Sequence, residues 1–261
     1  MLKIVTWNVN SIGMRKDRVL AFLKRESPDA LCLQELKCLD EKFPYDDFKA
    51  VGYHSSTYGQ KAYNGVAVLT KTPPKRVQLN FGATTDDEAS RFIAVQIQDD
   101  IWVMSAYCPN GQAPGTEKFA YKMDWFARLR RYLDKNHSRS EKIALVGDFN
   151  VAPEDRDVYD PIALKDHIHT TAAERVALKQ IVGFGFYDTF RLHHQDSGLY
   201  SWWDYRQGSF QQNRGLRIDM IYSTPALAEL STGARVDREE REGEKPSDHA
   251  PVIAEFDWNP L

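Results

Sequence analysis

The stretch "KIALVGDFNVAP", residues 142–153, decides how this chain is read. It runs apolar from Ile143 through Val146, reaches Gly147, and then sets Asp148 and Asn150 where a buried strand would end. Asp and Asn are common turn residues, so one such segment predicts only a strand that turns. The form recurs in "LKIVTWNVNS" (2–11): a basic residue, an apolar run, then polar residues spaced two apart. The two stretches read as matching strands of two similar halves. Working outward, further buried strands are expected at "DALCLQE" (29–35), "GVAVLTK" (65–71), "FIAVQIQ" (92–98), "IWVMSAYCPNG" (101–111), "RIDMIYS" (217–223) and "APVIAEF" (250–256).

Amphipathic helices are expected between them. Residues 16–26 put Val19, Phe22 and Leu23 on one face and stop before Pro28, and residues 117–134 line up Phe119, Met123, Phe126 and Leu133. A third helix begins at Thr171, with Glu174 completing a capping box, and ends near Gly183. Short strands with intermittent helices predict two packed sheets with helices outside. The charge run "DREEREGEK" (237–245) reads as a solvated loop.

At 261 residues and 42% hydrophobic, the chain is long enough to bury a large core, and one domain spanning 1–261 is expected. Met1 leads straight into "LKIVTW" and charges interrupt every later apolar run, which predicts a cytoplasmic protein with no membrane partner. Cys32, Cys38 and Cys108 form no CxxC pair, which fits a reducing compartment. A formal net charge of −3 gives no global attraction to nucleic acid, so a polyanion would have to be held by a local patch or a bound cation.

Six of the apolar strands carry polar residues at one end: Asn8 and Asn10, Glu35, Tyr107 and Asn110, Asp148 and Asn150, Asp219, and the "SDH" of 247–249. If the sheets gather these ends, four carboxylates (Glu35, Asp148, Asp219 and Asp248) converge, and like charges at a few Å oppose shared ionisation. A cation resolves the conflict. Oxygen donors with one dominant histidine and no thiolate pair suit a hard ion, Mg²⁺ with Mn²⁺ as substitute, rather than Zn²⁺. Mg²⁺ held by few carboxylates is completed by substrate phosphate, which points to phosphate-ester chemistry.

"TWNVN", "LCLQELK", "YCPNG", "VGDFN", "SWWDYR", "NRGLRIDMIYS" and "EKPSDHAPV", in this order and nearly end to end, resemble the successive motifs of the exonuclease III family of DNA repair nucleases. The resemblance implies a four-layered α/β sandwich of two similar halves, each a largely antiparallel β-sheet with flanking helices. It implies that Glu35 is the principal metal ligand, with Asn8 beside it and Asp248 near the metal or just beyond its ligands. Asp148 would deprotonate the attacking water and Asn150 position it; His249, oriented by Asp219, would contact the phosphoryl oxygen; Tyr107 and Asn110 would hydrogen-bond the scissile phosphate. The partner implied is double-stranded DNA with abasic, nicked or blocked 3′ ends, acted on by a monomer.

"SWWDYRQGSFQQNRGLR" (201–217) interleaves aromatic rings with Arg206, Arg214 and Arg217, a composition that suits stacking and phosphate pairing. Trp202 and Trp203 should face opposite ways if extended. By resemblance, Trp203 and Leu216 border a nucleotide pocket, while Arg15 and Lys61 are candidates for phosphate contact. The chain departs from the family's usual small residues at "DPIALKDHIHTTA" (160–172), where it carries His167 and His169. One imidazole, His167 by preference, is expected to narrow the pocket against a flipped internal abasic site, favouring 3′-end trimming and unblocking over incision. A full abasic endonuclease is the alternative. Inositol-polyphosphate or sphingomyelin hydrolysis would need another substrate loop, and a non-catalytic DNA-binding module would not need this acidic set.

Overall fold

The computed structural model describes residues 1–81, 89–98 and 100–258 of the chain. Its first sheet is built from β1 (Leu2–Asn8), β2 (Ala30–Gln34), β3 (His54–Tyr58), β4 (Val66–Thr70), β11 (Ser231–Val236) and β12 (Val252–Phe256), in the order β11-β12-β1-β2-β4-β3. The second holds β5 (Arg76–Leu79), β6 (Phe92–Ile97), β7 (Ile101–Tyr107), β8 (Lys142–Asp148), β9 (Tyr187–Asp188) and β10 (Asp219–Ser223), in the order β5-β6-β7-β8-β10-β9. Each sheet has one parallel pair at its centre, β1 with β2 and β7 with β8, among antiparallel neighbours. A parallel pair needs a crossover. Helix α1 (Ile12–Glu26) supplies it in the first half, and α3 (Glu117–Asn136) in the second. The shorter α2 (Tyr45–Ala50), α4 (Ala172–Val182), α5 (Thr189–His193) and α6 (Pro225–Ala228) complete the α-helices among the described residues.

The expected two-halved, four-layered sandwich is thus present, with one change of correspondence. "KIALVGDFNV" is not the equivalent of "LKIVTWNVNS": β8 ends its crossover as β2 does, and β1 matches β7. The two stretches resemble each other because β1 and β8 pack against one another across the sheet interface and meet the same burial on both faces.

Alternation builds the layers. Ile4, Cys32, Val66 and Val68 face inward onto Val95, Val103, Val146 and Ile221 of the second sheet. Val5, Trp7 and Leu31 face outward onto Val19, Phe22 and Phe48, while Leu145 lies under Phe126, Leu129, Leu133, Leu178 and Ile181. Helix α1 begins four residues before its expected start, and α4 has the capping box read from Thr171 and Glu174. The edge strands β3, β5, β9 and β11 were not foreseen. Their sequences, such as "HSSTY" and "STGARV", are half polar because an edge is only partly covered. The 237–245 run is solvated at Arg238, Glu239 and residues 242–245, but it is anchored at three other positions. Asp237, Glu240 and Arg241 are buried, and Glu240 accepts from Arg18 and Arg25 at 3.0 Å each. No helix among the described residues is long and apolar enough to cross a membrane.

The return from β8 is pinned by Asp157, fully buried, which accepts from Arg217 Nε at 2.7 Å and from Arg191. Burial alone would raise this carboxyl, but Arg217 and Arg191 hold it below its ordinary value. Asp157→Ala leaves the buried Arg217 short of a partner, and is expected to cost about 3–5 kcal/mol in urea unfolding. Because the folded pKa is depressed, the wild-type contribution is present above about pH 4 and lost as pH falls further, whereas the variant lacks that acid dependence.

Candidate active site

Strand register brings the polar tips together. Tyr107 pairs with Asp148 across β7–β8, and Asp148 pairs with Asp219 across β8–β10, so the three form one row across the strand ends of the second sheet. In the first sheet Asn8 pairs with Gln34, and Glu35 follows at once. Beyond the strands the backbone turns sharply: Asn10, Glu35 and Asn150 have φ of 45°, 54° and 51°, a left-handed conformation that non-glycine residues adopt at a cost and that clusters at functional sites. The glycine before Asp148 is required. A Cβ on Gly147, at φ 145°, would lie 1.8 Å from the Ala106 carbonyl oxygen.

One ligand atom each from Glu35, Asp148 and His249 lies within 4.8 Å of the others. Asn8 Nδ2 ties the two carboxylates, donating to Glu35 Oε1 at 2.9 Å and to Asp148 Oδ2 at 3.0 Å. Asn150 donates to Asp148 twice, from its main-chain N–H at 2.9 Å and from Nδ2 at 3.2 Å. His249 Nε2 is 3.8 Å from Asp148 Oδ2, and its Nδ1 meets Asp219 Oδ2 at 2.9 Å. Ser201 Oγ in turn donates to Asp219 Oδ2 at 2.7 Å.

Burial pulls His249 down, but Asp219 and Asp148 outweigh it and the imidazole is raised to about 10. Burial pushes Asp148 up to about 7 against the opposing charge of His249. For Glu35 burial is overcome by the Asn8 hydrogen bond and the Lys37 ammonium, and the carboxyl stays below its ordinary value. Asp219→Asn removes the larger of the two charges that keep His249 protonated and weakens the hydrogen bond at its Nδ1. We expect its ring titration, followed by NMR, to drop to or below the ordinary value near 6.5, and kcat to fall about 10²–10³-fold.

The donor set fits a hard divalent cation: two convergent carboxylates, one of them, Glu35, still reachable from solvent. Asn8 points its nitrogen at both carboxylates, while its oxygen accepts from the Asn10 main chain at 3.0 Å. It bridges the carboxylates as a donor. Asp248, expected near the metal or just beyond its ligands, stands outside the triad, with Oδ1 accepting from Asn10 Nδ2 at 3.0 Å and Oδ2 from Trp202 Nε1 at 2.9 Å. The Tyr107 hydroxyl faces Glu35, and burial followed by that charge raises it well above its usual range. Asn110 is exposed beside Asn150, Nδ2 to Oδ1 3.4 Å.

A cavity of 590 Å³ adjoins this group, lined by Tyr159, His167, His169, Trp202, Arg214 and Leu216. Leu216 and Arg214 line this cavity, but Trp203 does not. It is fully buried against Phe210, with Nε1 donating to Asn213 Oδ1 at 3.2 Å. The two tryptophans do face opposite ways, and it is Trp202 that faces the cavity. Arg15 is half-buried and braces loops, donating to the carbonyls of Asn10 and Pro246 and to the Tyr205 hydroxyl. Lys61 is exposed in the β3–β4 connection. His167 is exposed at the cavity, whereas His169, 8% exposed, lies on the reacting side. Its Nδ1 is 2.7 Å from the Asn150 carbonyl oxygen, its Nε2 is 3.4 Å from Asn110 Nδ2, and burial with Lys122 nearby lowers it to about 4.

Sequence reasoning missed three residues around this group. Lys37 holds Glu35 Oε2 at 2.9 Å, Ser201 holds Asp219, and Lys122 reaches the Asn150 carbonyl at 2.7 Å. Lys37, two residues past Glu35, and Ser201, which opens "SWWDYR", both lay in quoted motifs, whereas Lys122 carried no such signal.

Residues 5–249 match the model of the endonuclease/exonuclease/phosphatase family. The chain is 35% identical to exodeoxyribonuclease III of Haemophilus influenzae, over 98% of this chain and 100% of that protein. Among solved structures, the 3′ phosphatase NExo from Neisseria, bound to a product DNA hairpin, superposes with a TM-score of 0.95 at 42% identity, covering 99% of this chain and 100% of that one. An AP endonuclease from Archaeoglobus fulgidus superposes with a TM-score of 0.95 at 40% identity over the same shares.

Proposed function

The chain belongs to the endonuclease/exonuclease/phosphatase family, within its exonuclease III group of DNA repair nucleases, and from that premise we propose a Mg²⁺-dependent DNA phosphodiesterase that trims and unblocks 3′ ends. The observation that carries this reading is the convergence of Glu35, Asp148 and His249 beside a cavity large enough for a nucleotide. Held chiefly by Glu35, the cation would offset charge on the scissile phosphate. Asp148 takes the proton of the attacking water, which Asn150 aligns from a neighbouring hydrogen bond. The His249 imidazolium, held by Asp219, donates to a non-bridging oxygen as negative charge builds there. Tyr107 and Asn110 donate to the same phosphate from the flank, and exposed Lys61 and the cavity-lining Arg214 attract the DNA backbone. Residues 1–261 act as one monomeric unit on double-stranded DNA in the cytoplasm.

A 3′ preference follows from the histidines. His169 walls the cavity between Asn150 and Trp202, its ring centroid 6.4 Å from that of Trp202, and we assign it the narrowing role first given to the exposed His167. His169 sits at φ 77°, so glycine substitutes without backbone strain. The test is a parallel assay on a 3′-phosphate nick, a recessed 3′ end and an internal abasic duplex, with Mg²⁺ and with EDTA. We expect metal-dependent turnover, fastest at the 3′ ends, and a gain of abasic incision in His169→Gly greater than in His167→Gly. Turnover in EDTA, or no turnover with Mg²⁺, would refute the enzyme reading. The similarity to an AP endonuclease favours a second reading, abasic incision as the main activity, and wild-type incision matching 3′ processing would establish it.

A further inference from the structure

Lys122 on α3 and Glu174 in the first turn of α4 are both 0% exposed, and their side chains meet at 2.5 Å. Neither touches the triad. The Lys122 ammonium spends its other two donors on main-chain carbonyls, Asn150 at 2.7 Å and Asn110 at 3.0 Å, so all three are satisfied. Glu174 Oε1 also accepts the His169 N–H at 3.1 Å, while Oε2 accepts from Thr171 Oγ1 at 2.7 Å and from its N–H at 3.1 Å. The Asn150 carbonyl receives His169 Nδ1 as well. One buried ion pair therefore grips the loops after β7 and β8 and the segment before α4, from behind the residues whose side chains face the reacting phosphate.

Burying two charges is expensive, and an apolar pair could pack α3 against α4 as well. What an apolar pair could not do is hold two carbonyls of different loops at fixed points. Asn150 already tolerates its left-handed φ of 51°, as asparagine does better than most residues, and the two carbonyl bonds fix where that turn sits. We propose that Lys122 and Glu174 are positioning residues for phosphodiester hydrolysis: the ammonium anchors the Asn110 and Asn150 main chain, and thereby aims both carboxamides, while Glu174 fixes the ammonium and the His169 backbone. The inference rests on the phosphodiesterase reading for its kinetic arm alone.

The test compares Lys122→Met, Glu174→Gln and the double variant in melting temperature, in kcat and KM on a 3′-phosphate nick, and in the side-chain amide NMR signals of Asn110 and Asn150 without DNA. Lys122→Met alone strands a buried carboxylate and melts lower. The double variant removes both charges and regains most of the melting temperature, yet its kcat stays about 10²-fold down with KM nearly unchanged, because a displacement near 1 Å is enough for such a loss. Its Asn110 and Asn150 amide signals shift. Glu174→Gln alone leaves the ammonium on both carbonyls but weakens its third bond, and its kcat falls between those of the wild type and the double variant. A double variant whose kcat returns with its melting temperature, or whose two amide signals do not move, overturns the proposal, as would a loss in Glu174→Gln equal to that in the double. If the wild-type protein proved inactive, the phosphodiesterase reading would fail, while the amide signals would still decide whether the pair positions the asparagines.

Discussion

Asp148→Asn is expected to lower kcat by about 10³–10⁴-fold, the upper range for loss of a positioned general base, while leaving the fold intact. The substitution preserves volume, and an amide oxygen can still accept from the Asn150 N–H that now bonds Oδ1 at 2.9 Å. It cannot take a proton. It also turns an NH₂ towards Asn8 and Asn150, whose Nδ2 groups stand 3.0 and 3.2 Å from Oδ2, so donors face donors. DNA affinity at fixed salt should hold or rise, since a negative charge beside the phosphate is gone. The pH profile gives a second check. With Asp148 raised to about 7, wild-type kcat/KM climbs as pH rises through neutrality and the base sheds its proton, and the variant loses that limb. Single-turnover rates and binding isotherms measure both, and a fall in kcat of less than tenfold would exclude Asp148 as the base.

Glu35→Gln should fail differently. Of the two triad carboxylates, Glu35 is the one open to solvent, held by Asn8 and Lys37 in a form kept ionised. A neutral amide there should raise the Mg²⁺ concentration for half-maximal rate by at least the 10–100-fold typical of losing a ligand's supporting partner. Activity titrated with Mg²⁺, beside Mn²⁺ binding followed by EPR, separates weakened metal binding from the lost proton transfer of Asp148→Asn. An unchanged metal requirement would remove Glu35 from the ligand set.

The central strands were legible because burial on both faces leaves continuous apolar runs such as "ALCLQ" and "VAVLT". The site was legible for a related reason: a polar residue at the tip of such a run has no business in a core, and several tips repeated the anomaly. What stayed hidden depends on partners far along the chain. Lys122 is one charge on an amphipathic helix, and its acceptor Glu174 lies 52 residues away. The alternation of Trp202 and Trp203 could be read from an extended segment, but its phase could not, because bridges to Leu216 and His249 set which ring turns outward. His167 and His169 likewise look equivalent in sequence, and only the left-handed turn at His169 directs it inward.

The central claim is that strand tips from two sheets hold one metal-charged phosphate between them. A crystal structure of the protein with Mn²⁺ and a 3′-phosphate DNA tests it most directly. The account predicts an anomalous peak at coordinating distance from Glu35, with the DNA phosphate between that peak and the imidazole of His249. A peak bound elsewhere, or a phosphate out of reach of both Asp148 and His249, would contradict it.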